Sequence, residues 1–310
     1  MSIELVTSLL ASTVEFSTPI LLAALGEVIT ERSGVMNLGI EGIMLIGAFC
    51  GFWGALTTGN PWFGILIALI AGALVGVLKA FFSITLKANQ VIAGLAIWIL
   101  GIGLSTYLSR TVLGITPGTV MIPGLEKAPI PLFSNIPFIG KIFFDHNVLV
   151  YLTLLLVPVL HFILFKTTIG LKIRAVGENP RVADTLGVNV FLTRYLCTII
   201  GAALMGAAGS YLTLGRLFTW VEEVTAGRGW LALAIVFFSK RYPFKALLGA
   251  WLFGAAYALQ YHLQAMNIGI PYQFLLMLPY IVTIITLLGI IGREEAPAAL
   301  GIPYSREEPG

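Results

Sequence analysis

Nine apolar runs, near 4–25, 35–56, 62–86, 90–108, 147–165, 194–214, 221–239, 244–262 and 271–291, fill most of a 310-residue chain. This pattern constrains the fold more than any motif does. A helical crossing of a bilayer needs roughly 20 apolar residues, and most of the runs are close to that length. No soluble domain hides so much apolar surface, since 58% of the residues are hydrophobic, only 11% are charged and the mean hydropathy is +0.95. The solvent is therefore lipid, in which every backbone polar group needs an internal partner, so the runs are expected to be helices. The expected fold is an all-α polytopic membrane protein of about 8–10 transmembrane helices. The weakest runs are 4–25, which holds Glu15, and 221–239, which opens on Glu222 and Glu223.

Several classes are excluded at this level. The two cysteines, Cys50 and Cys197, both lie in apolar runs and read as small buried hydrophobes, not as a disulfide framework. The first residues lack a basic stretch and a small-residue cleavage site, so no removable signal peptide is expected. A net charge of +3 without a basic face gives no purchase for nucleic acid. Basic residues instead report orientation. With the polar stretch 166–193 placed in the cytoplasm and nine spans alternating, thirteen of the 18 Lys and Arg fall on that side. Arg110, Lys127, Lys141, Arg216 and Arg228 fall on the other. This puts the N-terminus outside and the C-terminus inside.

The chain divides into a transmembrane domain, 1–292, and a polar tail, 293–310. The tail carries Pro297, Pro303 and Pro309 and is expected to be flexible and cytoplasmic. The longest interruption, 109–146, holds Pro117, Pro123, Pro129, Pro131 and Pro137 and reads as an external loop over the membrane domain. Two runs open on glycine-punctuated, charged stretches: Asn37-Leu38-Gly39-Ile40-Glu41-Gly42 and Thr225-Ala226-Gly227-Arg228-Gly229-Trp230. The first run goes inside to outside and the second outside to inside, as inverted repeats with broken helices would.

Five charges fall in one twenty-residue stretch, Gly170 to Asn189, between two spans. Asn179 suits a helix N-cap, Pro180 the first helical position and Gly187 the residue just past the end. They frame a helix over 180–186. Val182, Leu186 and Val190 recur every four residues as an apolar stripe, with Arg181, Asp184 and Thr185 off it. Such a helix is too short to stand alone and too polar to span. It is either a solvated loop helix or a docking helix for a cytoplasmic partner.

Lys172-Ile173-Arg174-Ala175-Val176-Gly177-Glu178-Asn179-Pro180, followed by Ala183 and Leu186-Gly187-Val188, resembles the coupling segment of ABC-importer permeases. The resemblance is to the family serving simple sugars, nucleosides and branched-chain amino acids. Glu31 to Met44 (ERSGVMNLGIEGIM) resembles that family's second-span signature in its nucleoside-type form, as do Ala88 to Ala96 (ANQVIAGLA) and Thr225 to Trp230. The resemblance implies a permease subunit of an ATP-driven importer in a bacterial-type cytoplasmic (inner) membrane, with Glu178, Asn179, Pro180, Arg181, Asp184, Thr185, Leu186 and Gly187 facing the ATPase. The chain has no Gly-x-x-x-x-Gly-Lys-Ser/Thr phosphate loop. No cofactor is therefore expected on it, and ATP with Mg would bind a partner ATPase. A second, related permease and an external substrate-binding protein are the other partners implied, beside membrane lipid.

No catalytic or metal constellation stands out. His146, His161 and His262 are far apart, and neither a Gly-x-Ser-x-Gly elbow nor a His-Glu-x-x-His occurs. The chain reads as a transport subunit, not an enzyme. Substrate contacts are sought among polar groups at membrane depth, each costly there unless used or paired. Glu41 leads, with an ion pair or a helix-terminal charge as its structural alternative. Asn37 is a candidate or a cap. Asn89 and Gln90 could read a base edge or cap the following helix. Trp98 is a stacking candidate or a core aromatic. Arg228 lines the pathway or balances an acid. Gln260, Gln264 and Glu15 are weaker candidates. A nucleoside is the expected cargo. The alternatives are a simple sugar such as ribose in the same machine, or an ion-coupled secondary transporter using Glu15 and Glu41.

Overall fold

The computed structural model describes residues 3–114, 120–131, 133–134, 136–266, 271–289 and 296–306. These are helical almost throughout: α1 Ile3–Arg32, α2 Ile40–Thr58, α3 Pro61–Ala80, α4 Gln90–Leu113, α5 Ile139–Phe143, α6 Val148–Lys166, α7 Thr168–Glu178, α8 Pro180–Thr185, α9 Val190–Leu212, α10 Arg228–Phe238, α11 Pro243–Ala265, α12 Tyr272–Leu276 and α13 Leu278–Gly289. A π-helical turn extends α3 through Phe81–Thr85, and another extends α9 through Thr213–Leu217. Every apolar run of the sequence contains helix among its described residues. Among the described residues, six helices are long and apolar enough by themselves to cross a membrane: α1, α2, α3, α4, α6 and α9. The remaining apolar runs form shorter or more polar helices, because hydropathy does not reveal where a helix breaks. The run at 221–239 becomes the 11-residue α10, about 16 Å long at 1.5 Å per residue. The last run is divided between α12 and α13. α11 has 23 residues but includes Lys245, Gln260, His262 and Gln264.

Helices α1 and α2 form the centre, with 72% and 78% of their apolar windows buried, whereas α4 at 28% lies on the outside. Close approach at glycine makes this possible. A Cβ on Gly47 of α2 would sit 2.3 Å from the Gly206 carbonyl oxygen of α9, and one on Gly101 of α4 would sit 2.3 Å from Gly42 Cα of α2. Backbones this close gain dispersion where lipid offers helices no hydrophobic drive.

Four basic residues counted toward the cytoplasmic side, Arg32, Lys79, Arg194 and Arg241, are buried within the protein. Arg241 Nε meets the buried Glu31 carboxylate at 2.6 Å, and Lys79 Nζ donates to the Gln90 carbonyl at 2.7 Å. The loop 109–146 lies across the opposite end in its described parts. Ile122 and Leu125 donate backbone bonds to the Phe218 and Leu214 carbonyls at 3.0 and 2.8 Å. Residues 115–119, 132 and 135 of that loop, with Pro117 among them, lie outside the described residues.

The tail departs from expectation. Residues 298–306 are docked on the end of the bundle, because their backbone and side-chain polar groups find fixed partners on α7, α8 and α9. The expected flexibility of 293–310 therefore fails over that stretch, and residues 293–295 and 307–310 lie outside the described residues.

Candidate functional site

Two breaks in the helical ladder build the central site. α1 ends at Arg32, and residues 33–39 lead back to α2 at Ile40. The chain leaves the π turn at Leu217 and reaches α10 at Arg228. The depth of the second break follows from its ends. Thr219 bridges to Met121 in the long loop. At the far end of α10, Arg32 of α1 holds the carbonyls of Lys240 and Arg241 at 3.1 and 3.2 Å. α10 thus spans about half of a 30 Å hydrocarbon core, and its first turn sits near mid-depth.

That first turn abuts the first turn of α2. Two helix N-termini brought together in a low dielectric present unsatisfied N–H groups and like partial charges. Glu41 resolves both. Its Oε1 accepts from the Thr225 hydroxyl at 2.5 Å and the Gly227 N–H at 2.7 Å, and its Oε2 accepts from the Gly229 N–H at 2.5 Å. The residue is only 6% exposed. Gly227, with φ of +78°, supplies the left-handed turn that aims its N–H at this carboxylate. The two glycine-punctuated stretches singled out in the sequence therefore meet through one carboxylate.

The other polar candidates engage backbone in the same way. Asn37 turns the α1–α2 break: its Oδ1 accepts from the Gly39 N–H at 3.0 Å, and its own N–H donates to Glu27 Oε1 at 2.9 Å. Gln90 Oε1 accepts from the Met36 N–H at 2.8 Å, fastening α4 to that break, and the residue is buried. Asn89 caps α4, accepting from Val91 and Ile92 at 3.0 and 3.2 Å. Arg228 donates to the Val224 and Thr225 carbonyls at 3.2 and 3.0 Å and lies 4.7 Å over the Tyr257 ring.

Trp98 differs. It meets Trp230 edge to face, with ring centroids 5.3 Å apart, and both indoles are half-buried. Beside Trp230, Ala226 is exposed, and the half-exposed Tyr280 donates to its carbonyl at 3.3 Å. Trp230 and Tyr280 were not among the sequence candidates. Trp230 closes the glycine-rich stretch already singled out, and that was its available signal. Tyr280 sits in an apolar run with nothing to mark it. Glu15 faces His146 Nδ1 at 3.4 Å.

The second site is the charged stretch between α6 and α9. Asn179 Oδ1 accepts from the Val182 N–H at 3.1 Å, Pro180 opens α8 and Gly187, at φ of +82°, follows its end. The Val188 N–H returns to the Ala183 carbonyl at 3.0 Å, as expected of a helix closed by a left-handed residue. The expected apolar stripe is corrected. Ala183 and Val190 face inward with Val176 and Tyr304, whereas Val182 and Leu186 are 52% and 77% exposed. Six residues make fewer than two turns, so a four-residue spacing into the next helix does not define a common face. Glu178, Arg181 and Thr185 are exposed. Asp184 instead accepts from the Tyr304 hydroxyl at 2.9 Å and from Arg306 Nη2 at 2.8 Å. The Arg306 and Tyr304 hydrogen bonds hold its carboxyl below the usual aspartate range.

Comparison with known proteins converges on one assignment. Residues 9–288 match the family described as the permease component of a branched-chain amino acid transport system. A putative glucose ABC transporter permease of Haloferax volcanii is 39% identical, over 96% of this chain and 98% of its own length. A guanosine ABC transporter permease of Bacillus subtilis is 38% identical, over 97% and 98%. A nucleoside ABC transporter permease of Lactococcus lactis subsp. cremoris is 35% identical, over 97% of each chain. No solved structure matches the chain.

Proposed function

Because the chain belongs to the branched-chain amino acid transport system permease family, we propose that it is the membrane-spanning subunit of an ATP-driven importer for nucleosides. The observation that carries the cargo is the half-buried Trp98–Trp230 pair beside the mid-depth break. Indole faces and edges suit a nucleobase. Two relatives named for guanosine and nucleoside transport support this reading. The relative named for glucose supports a sugar cargo in the same machine.

ATP with Mg would be bound by a separate ATPase docking on α8, whose exposed Val182 and Leu186 offer apolar contacts flanked by Arg181 and Glu178. A second permease supplies the other wall of the pathway, since the aromatic pair is only half-buried by this chain. An external binding protein delivers the cargo, and the complex resides in a bacterial-type cytoplasmic membrane. Ion coupling by Glu41 is disfavoured, because its carboxylate already accepts three short hydrogen bonds.

Uptake of labelled adenosine or uridine, with and without the chain and with excess glucose or ribose, tests the cargo. The expected result is uptake that needs the chain and ignores the sugar. Trp98→Ala should raise KM for the nucleoside about 5- to 150-fold, the equivalent of about 1–3 kcal/mol of stacking. Loss of sugar uptake on deletion, with nucleoside uptake intact, would replace the nucleoside by a sugar.

A further inference from the structure

Residues 298–306 cross four parts of the bundle in nine positions. The Ala298 N–H donates to Glu178 Oε2 at 3.2 Å and the Ala299 N–H to the Gly177 carbonyl at 2.9 Å, so the strap begins on the end of α7. The Gly301 N–H donates to the Gly34 carbonyl at 3.1 Å, in the α1–α2 break. Arg194 of α9, 1% exposed, donates from Nη1 to the Ile302 carbonyl at 3.0 Å and from Nε to the Ser33 carbonyl at 3.2 Å. One guanidinium therefore holds the strap and the break together. The strap ends on α8, where Tyr304 and Arg306 share the Asp184 carboxylate. The Tyr304 ring is buried among Val176, Ala183 and Val190 and lies 5.6 Å from the Phe191 ring.

Six-residue α8 buries only Ala183 and is too short to be rigid alone. Its side-chain polar link to the rest of the chain is Asp184, and that link leads through the strap to Ser33 and Gly34. Those two residues open the break, and Glu41, seven residues beyond Gly34, lies in the first turn of the helix that follows it. A load on α8 thus reaches the central site through its covalent neighbours, α9 and α7, whose Gly177 packs against Arg32 and Gly34, and separately through the strap.

We propose that residues 298–306 are a tie that carries displacement of α8 to the α1–α2 break, with Tyr304 and Arg306 as positioning residues in energy coupling. This rests on the reading of α8 as the ATPase docking helix. A strap that only stabilises the fold would change how much complex forms. A strap that transmits would change how much cargo moves per ATP hydrolysed.

The experiment uses the complete importer in proteoliposomes, with Tyr304→Phe, Arg306→Ala, their double variant and Arg306→Lys. Tyr304→Phe keeps the buried ring and removes only the hydroxyl, so folding is preserved in at least one arm. ATPase co-purification, melting temperature, ATP hydrolysis and labelled nucleoside uptake are measured on each. The expected result is wild-type assembly and hydrolysis, with uptake per ATP reduced at least about fivefold in the double variant and partly restored by Arg306→Lys. Unchanged uptake per ATP in all variants would overturn the tie. So would uptake and hydrolysis falling in proportion with lost ATPase co-purification or a lowered melting temperature, which is the signature of a merely structural strap. If the wild-type chain carries no ATPase at all, the docking reading of α8 fails first, and the tie falls with it.

Discussion

Replacing Glu41 with Gln separates a structural carboxylate from a cargo-binding one. The side chain keeps its shape, but one oxygen becomes an NH2 group. Placed at Oε2, that NH2 faces the Gly229 N–H, now 2.5 Å from an acceptor, and leaves it without a partner. Placed at Oε1, it faces both the Gly227 N–H and the Thr225 hydroxyl, at 2.7 and 2.5 Å. The first arrangement costs less. An orphaned buried donor costs about 1–3 kcal/mol. The two remaining bonds lose charge assistance worth about 1 kcal/mol each. The variant should therefore lose about 3–5 kcal/mol, a fall in melting temperature on the order of 10 °C for the purified complex. The assay is thermal melting in detergent, followed by uptake kinetics at a temperature where both proteins are folded. A melting temperature equal to wild type, together with a raised KM, would refute the structural account and make Glu41 a cargo contact. Equal melting and equal uptake would show that the two helix starts do not need the charge.

Two further outcomes follow from particular contacts. Gly101→Ala places a Cβ 2.3 Å from Gly42 Cα and should sharply reduce folded protein, whereas Gly103→Ala, with nothing within 4 Å, should be neutral or gain helix propensity of up to about 1 kcal/mol; fluorescence-detected size-exclusion yields of both variants check this, and equal yields would refute the α2–α4 contact. Because Asp184 is held below its ordinary value in the folded protein, its stabilising link to Tyr304 and Arg306 is fully present above the ordinary aspartate pKa and is lost as pH falls through the lowered one. Protection from hydrogen exchange over 180–186, taken relative to the intrinsic rate at each pH, should thus be flat across neutral and mildly acidic pH and fall only in strong acid, while in Asp184→Asn it should be lower wherever Asp184 is ionised and converge with wild type in strong acid.

The sequence by itself determined the solvent, the helical class and the local geometry of the 179–187 turn and helix. Lipid leaves a backbone only one economical solution per apolar run, and Asn179, Pro180 and Gly187 act through local backbone geometry that needs no distant partner. Resemblance in a few short stretches was enough to point at the family. Tertiary structure decided which partners the polar residues near the helix breaks find. Glu41, Asn37 and Gln90 look like cargo ligands in a sequence, because cost at membrane depth is visible there and the partners that offset it are not. Thr225, Gly227 and Gly229 lie more than 180 residues from Glu41 and become its donors only when two broken helices are brought end to end. The strap is the same case at the surface: a polar, proline-bearing tail looks free until Arg194, Gly34 and Asp184 converge on it from three separate helices or breaks. Spacing along a chain encodes what a segment satisfies within itself, and hydrogen bonds across a hundred residues or more depend on packing that periodicity does not contain.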